Sequence, residues 1–321
     1  MNEVPTDLSD HHVVLFSTMD RAAVAVDLGT GTATRLDTPA GPAPSDGLLR
    51  PLGDRVLVFG SDGRARLVDW SFDDSRWLPV DADWISAVAV GDWIWHVGAG
   101  DQTAVEAAGV RRINADESVH GGLVRTLLGG PQIVGTHEGG ALITPRSIDT
   151  IYQLAPDGTA TPIIDGHALV GGTSWVVVSR CSPSYVCTAE LIDLADDAEA
   201  PLGLIDAGFT LLTDPNGRSD DGRRALINGP KPASATGDRG WYLLDADELN
   251  LNPIAADADA FAFDDFDPQL RYGLRLVEDH MTITELLSGH AVTIPTQAAY
   301  EEVLGGRPAH LLLAPSDWTP P

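Results

Sequence analysis

The chain has 321 residues, 43% of them hydrophobic, which suits one large domain or two ordinary ones and excludes a disordered chain. Forty-seven acids against twenty bases give a net charge of −27, which repels phosphate backbones and anionic lipid surfaces and so excludes nucleic acid as a partner. No apolar run approaches the ~18 residues of a spanning helix, so direct membrane insertion is not expected.

The chain opens "MNEVPTDLSDHHVVLF", without a basic n-region, an apolar h-region or a small-residue cleavage site. Two locations stay open: the cytoplasm, or an extracytoplasmic place reached with a leader, lipobox or anchor that this sequence does not contain. Downstream, long helical patterns are scarce. Short apolar runs alternate with Gly, Asp, Pro and Asn, the pattern of many short strands.

One unit recurs: an apolar strand with a polar residue near its end, a turn, and a second strand. It reads "VAVDLGTGTATRL" from 24, "RLVDWSFDDSRWLPV" from 66 and, in degenerate form, "AVEAAGVRRI" from 104. It returns as "TIYQLAPDGTATPI" from 150, "AELIDLADDAEAPLGL" from 189, "WYLLDADELNLNPI" from 241 and "TITELLSGHAVTI" from 282. Asp27, Asp69, Glu106, Gln153, Asp193, Asp245 and Glu285 then align at a mean spacing of 43 residues. Two further strand-like runs precede each unit. A period of 40 to 50 residues with four strands per repeat is the signature of β-propeller blades.

The fold expected is therefore all-β: a seven-bladed β-propeller with four-stranded antiparallel blades, one domain over 1–321. The blades fall at 11–39, 47–82, 83–118, 119–167, 168–206, 207–256 and 257–297. Blade one lacks an inner strand, and the tail has a spare one, "AHLLLAP", so a strand within 306–315 is expected to close the ring and remove its last open edge. The repeated acid is expected to be structural, accepting turn amides. Seven copies cannot all serve one site.

"SDDGRRALI" from 219 and "DPQLRYGLRL" from 267 resemble the Ser-Pro-Asp-Gly-Arg turn of TolB-like propellers, which leads into the second strand of a blade. "VAVDLGTGTATRL" is similar to the third-strand turn of WD-like and quinoprotein-like repeats. The chain departs from these patterns: residue 220 is Asp, and no Trp-Asp dipeptide closes the blades. The resemblance implies architecture and transfers no functional residue.

Both cysteines lie in "SRCSPSYVCTAELIDL", with Cys181 at the end of one predicted strand and Cys187 at the start of the next. Facing hairpin positions come near disulfide reach. A disulfide, free thiols and redox or metal chemistry are the readings. The Cys-x5-Cys spacing departs from the Cys-x-x-Cys redox motif, and no histidine lies near for zinc. A bridge would imply an oxidising compartment. Short bridges of this kind resemble those of secreted actinobacterial propellers, which the arginine-rich, lysine-poor composition also resembles.

The remaining chemical signals are sparse. Nine histidines show no paired spacing, "GTGTA" from 29 lacks the phosphate-loop glycines, and no Gly-x-Ser-x-Gly elbow is present. Eight tryptophans, most of them between 70 and 95, read as packing between blades. No catalytic residue, metal site or cofactor is assigned. Two long second-to-third-strand loops are expected, "HEGGALITPRS" from 137 in blade four and "NGPKPASATGDRG" from 228 in blade six. Arg146, Lys231 (the one lysine) and Arg239 in them are the candidate binding residues, positive points for a protein or glycan partner. The function expected is a non-enzymatic extracytoplasmic binding or scaffold module. The alternatives are a carbohydrate-active hydrolase or lyase with acids at the central channel, and a sensor domain of a membrane-anchored chain.

Overall fold

Two-faced strands govern this architecture, because runs such as "HVVLF" and "AVAVD" are apolar on both sides of the pleat. The computed structural model describes residues 4–6, 8–16, 23–36, 49–52, 55–59, 65–70, 75–78, 87–90, 93–97, 110–114, 120–124, 131–145, 149–155, 159–182, 187–206, 212–219, 221–230, 239–255, 263–277, 280–295 and 310–320. Among them there are strands and turns and no helix. The chain divides into two compact units, residues 1–80 with 254–321, and residues 81–253.

Among the described residues, the first unit holds three antiparallel sheets. One contains β1 (His12–Phe16), β2 (Ala23–Asp27) and β3 (Ala33–Leu36); the next β4 (Leu49–Leu52), β5 (Arg55–Phe59), β6 (Ala65–Asp69) and β7 (Ser75–Leu78). The last contains β24 (Asp265–Phe266), β25 (Tyr272–Val277), β26 (His280–Glu285) and β27 (Ala291–Pro295). The tail strand β28 (His310–Leu313) completes the first sheet in the order β28-β1-β2-β3, with Val13 opposite Leu313 and Leu15 opposite Leu311. This is the pairing expected of the spare strand.

Alternation along each strand sends neighbouring residues to opposite faces. Val13, Leu15, Val24, Val26, Leu311 and Leu313 face one core, shared with Leu274, Met281 and Ile283. Val14, Ala23, Ala25, Leu312 and Ala314 face the other, shared with Val56 and Trp70. The β28 strand thus feeds both cores. Its backbone is held as well: Leu313 N–H donates to the buried Asp265 carboxylate at 2.6 Å, and Ala314 N–H to His12 O at 2.9 Å.

Among the described residues, the second unit holds four such sheets. They are β8 (Ala87–Val90), β9 (Trp93–Val97), β10 (Val110–Asn114) and β11 (His120–Val124); then β12 (Pro131–His137), β13 (Gly140–Pro145), β14 (Thr150–Leu154) and β15 (Ala160–Asp165). There follow β16 (His167–Gly172), β17 (Trp175–Cys181), β18 (Cys187–Asp193) and β19 (Ala198–Asp206), and finally β20 (Leu212–Arg218), β21 (Arg224–Pro230), β22 (Arg239–Asp245) and β23 (Asn250–Pro253). The β16-β19 sheet is packed on both faces. Trp175 and Val177 meet Ala225, Ile227 and Tyr242 on one side. Val176 and Val178 meet Val134, Leu142 and Ile151 on the other. Outer strands β15, β19, β23 and β27 each carry a proline (Pro162, Pro201, Pro253, Pro295), which cannot donate to a further strand.

Two sequence expectations need correction. β11 pairs with β10, so residues 120–124 belong to the third sheet, and the expected boundary at 118/119 falls too early. The reason is the degenerate repeat: the third strand of that sheet is "VRRIN", ending at Asn114 where five of the other repeats end in an acid, and Glu106 lies outside the described residues. In blade four, "HEGGALITPRS" is not a loop. Glu138 and Gly139, at φ 47° and 76°, make a two-residue turn, and β13 starts at Gly140.

Candidate functional site

Three of the strand-end acids, Asp27, Asp193 and Asp245, accept turn amides, as expected. Thr30 N–H donates to Asp27 Oδ1 at 2.8 Å, Ala195 N–H to Asp193 Oδ1 at 2.8 Å, and Asp247 N–H to Asp245 Oδ1 at 3.1 Å. Glu285 accepts the Ser288 hydroxyl instead, and Gln153 departs further. It stops one residue short of the strand end and donates its amide to His137 O at 3.0 Å.

Among the described residues of the second unit, a dense polar cluster lies where first and second strands connect. The Ser219-to-Arg223 turn holds itself: Ser219 Oγ donates to Asp221 Oδ1 at 2.6 Å, and Arg223 N–H donates to the same oxygen at 2.9 Å. Gly222 adopts φ +68°, and a Cβ there would run into the Thr173 hydroxyl. Its carbonyl accepts Thr173 N–H at 2.9 Å and Trp175 Nε1–H at 2.6 Å, docking the turn on the neighbouring sheet. Arg223 then reaches across. It donates to the Asp193 carboxylate, to Asp247 Oδ1 at 2.7 Å and to Thr173 O at 3.2 Å.

Burial alone would push the Asp193 carboxyl up. The Arg223 guanidinium and the Ala195 and Asp196 amides outweigh burial and hold it below the usual carboxylate range. The Asp193 carboxylate in turn holds Arg223 above its ordinary value. A second link joins the next pair of sheets: His137 Nδ1 lies 3.1 Å from Ser174 Oγ, and Thr136 bridges Thr173 in parallel. The saturated contacts of Arg223 make this end a lock between sheets.

The opposite end, where second and third strands connect, carries the candidate residues. β21 and β22 pair without interruption from Arg224–Asp245 to Pro230–Arg239. Arg239 is the last pair of that hairpin, and Lys231 and Arg146 lie outside the described residues. β17 and β18 form the adjacent hairpin, paired from Trp175–Asp193 to Cys181–Cys187. A disulfide joins Cys181 and Cys187. Below it, Arg180 Nη1 donates to Glu190 Oε2 at 2.6 Å and lies 3.6 Å from Glu199. Arg180 and Cys181 thus lie at the same end of their sheet, where second and third strands connect, as Arg239 does of its own.

Sequence reasoning missed the role of Arg223. It stood in view beside the glycine of "SDDGRR", and the signal was the motif itself: a left-handed glycine aims the next side chain out of the turn. Its acceptor Asp193, thirty residues earlier, is identified only by the packing of two sheets.

No family model matches the chain, and no curated protein matches it. Among solved structures, an uncharacterised protein of Listeria monocytogenes EGD-e is similar at TM-score 0.51 and 10% identity, covering 89% of this chain and 92% of that one. TolB from Acinetobacter baumannii is similar at TM-score 0.45 and 11% identity, over 94% and 82% of the two chains. Oligogalacturonate lyase from Vibrio parahaemolyticus stands at 0.44 and 11%, over 90% and 91%. At such identities the likeness concerns the fold alone. With its repeated four-stranded antiparallel sheets, the chain has among its described residues the all-β repeat architecture of a β-propeller.

Proposed function

We infer that the sheets are the blades of one seven-bladed ring and that the protein is a non-enzymatic binding module working outside the cytoplasm. Three sheets in one unit and four in the other support the blade number. The Cys181–Cys187 bridge supports an oxidising compartment.

The binding reading rests on one observation above others. The β21-β22 hairpin stays paired to its last residues, Pro230 and Arg239, and so presents the 231–238 connection on a rigid support. Lys231, Arg239 and, two connections away, Arg146 are positive points on a very acidic chain. They suit a carboxylate on a glycan or protein partner. The net charge of −27 opposes such a partner at long range, so recognition depends on close contact.

Replacing residues 231–238 by an Asn-Gly turn tests this. Parent and variant are screened against glycan and secreted-protein panels. The parent is expected to bind an anionic member, and the variant to lose at least about tenfold in affinity. Full affinity in the variant refutes the site. Turnover of a glycan by the parent moves the protein to the enzyme class.

A further inference from the structure

The bridge at the tip of the β17-β18 hairpin is more than a mark of compartment. We propose that it is a reversible tie, opened by a dithiol of the Cys-x-x-Cys oxidoreductase class while the sheet beneath stays folded. This goes beyond the binding reading and does not depend on it.

Three features carry the proposal. The first is position. Cys181 and Cys187 form the last described pair of the hairpin, beyond the buried run Trp175 to Ser179. The second is access, since Cys181 is exposed and Cys187 half-buried. The third is a boundary in the ladder. β18 pairs with β19 as Cys187–Asp206 and Thr188–Ile205, the register then shifts, and pairing resumes at Glu190–Pro201. That irregularity separates a short upper segment from the packed lower one. Freeing the bridge releases the upper segment alone.

The exchange balances as follows. A thiolate of the reductant attacks the Cys187 sulfur, forms a mixed disulfide and expels the Cys181 thiolate, which takes a proton from water. The Ser179 hydroxyl, 4.0 Å from Cys181 Sγ, stands beside that sulfur as charge develops on it. The second thiolate of the reductant then breaks the mixed disulfide. Two electrons pass to the Cys181–Cys187 pair, which becomes two thiols, and the reductant leaves as its own disulfide.

The full chain is treated with dithiothreitol under native conditions, and its thiols are trapped and counted by mass. Two thiols are expected at a rate within about tenfold of that in denaturant. On reduction, amide exchange at Cys187, Thr188, Ile205 and Asp206 should quicken at least about tenfold, with Val176, Val177, Val178 and Leu191 unchanged. A bridge that opens only with global unfolding overturns the proposal. So does a reduced chain with unchanged exchange, because the bridge then ties nothing. The double variant Cys181→Ser/Cys187→Ser must reproduce the reduced pattern and still melt cooperatively, within about 8 °C of the parent. General loss of protection in it makes the bridge a staple of the whole sheet and refutes the switch. Catalytic amounts of a Cys-x-x-Cys protein with its reductase must also open the bridge, and failure to do so refutes this class of partner.

Discussion

At the residue scale, the turn from Ser219 to Arg223 shows how one motif both shapes itself and locks two sheets. Gly222 needs φ +68° and leaves no room for a Cβ beside Thr173. Gly222→Ala is expected to cost about 2 kcal/mol or more, read by urea unfolding. Asp193 is a sharper case, because it is 2% exposed and faces Arg223. Asp193→Asn removes the charge that compensates the guanidinium, and a loss of about 3 kcal/mol is expected at neutral pH. The sign with pH follows from the lowered carboxyl. Folding is favoured by this group above about pH 4, where an unfolded aspartate is ionised, and that gain is lost as pH falls through the lower folded value. The difference between parent and variant should shrink below pH 4. A difference independent of pH would show that the ion pair is not its source.

At the element scale, β28 is the informative strand. Leu311 and Leu313 enter one core and Leu312 the other, all at most 5% exposed. Leu312→Ala is expected to cost about 3 kcal/mol by thermal or urea unfolding. Deleting residues 310–321 removes these side chains together and leaves β1 with an open edge. The truncated chain should lose cooperative melting or become aggregation-prone, and unchanged melting would count against β28 as an integral strand. This strand was legible in the sequence, since "HLLLA" is apolar on both faces and the first repeat was one strand short. The third repeat was harder to read. "VRRIN" carries two arginines and no terminal acid, so hydrophobic alternation gave no register there, and the boundary before β11 was misplaced. In the fourth repeat, "HEGG" looked like loop because glycine marks loops and tight turns alike. Only the pairing of His137 with Gly140 tells them apart.

At the scale of the whole molecule, the proposed ring makes two demands. A crystal structure should show seven blades around one axis, with Asp27, Asp69, Asp193 and Asp245 superposing under rotation. Small-angle scattering should fit one particle with a radius of gyration of about 20 Å. A markedly larger radius, or a sandwich in the crystal, would refute the ring. The same ring would put the 146–149, 182–186 and 231–238 connections on one face, which is what the binding reading requires.

The sequence by itself determined the strand-rich class, the repeat and the spare tail strand. These depend on local alternation and on a period, and both are written along the chain. It also placed the cysteines at facing hairpin positions, because a turn signal between two strands sets their register. The candidate cations Arg146, Lys231 and Arg239 were chosen from charge and loop composition alone. Tertiary structure decided the rest. The Arg223–Asp193 lock joins residues thirty positions apart whose proximity comes from two sheets packing face to face. The rigid support beneath 231–238 comes from an unbroken β21-β22 ladder. The break in the β18-β19 ladder below the Cys181–Cys187 tip is a register shift that no alternation pattern encodes. Long-range packing chooses such features after the strands have formed, so the order of residues along the chain does not display them.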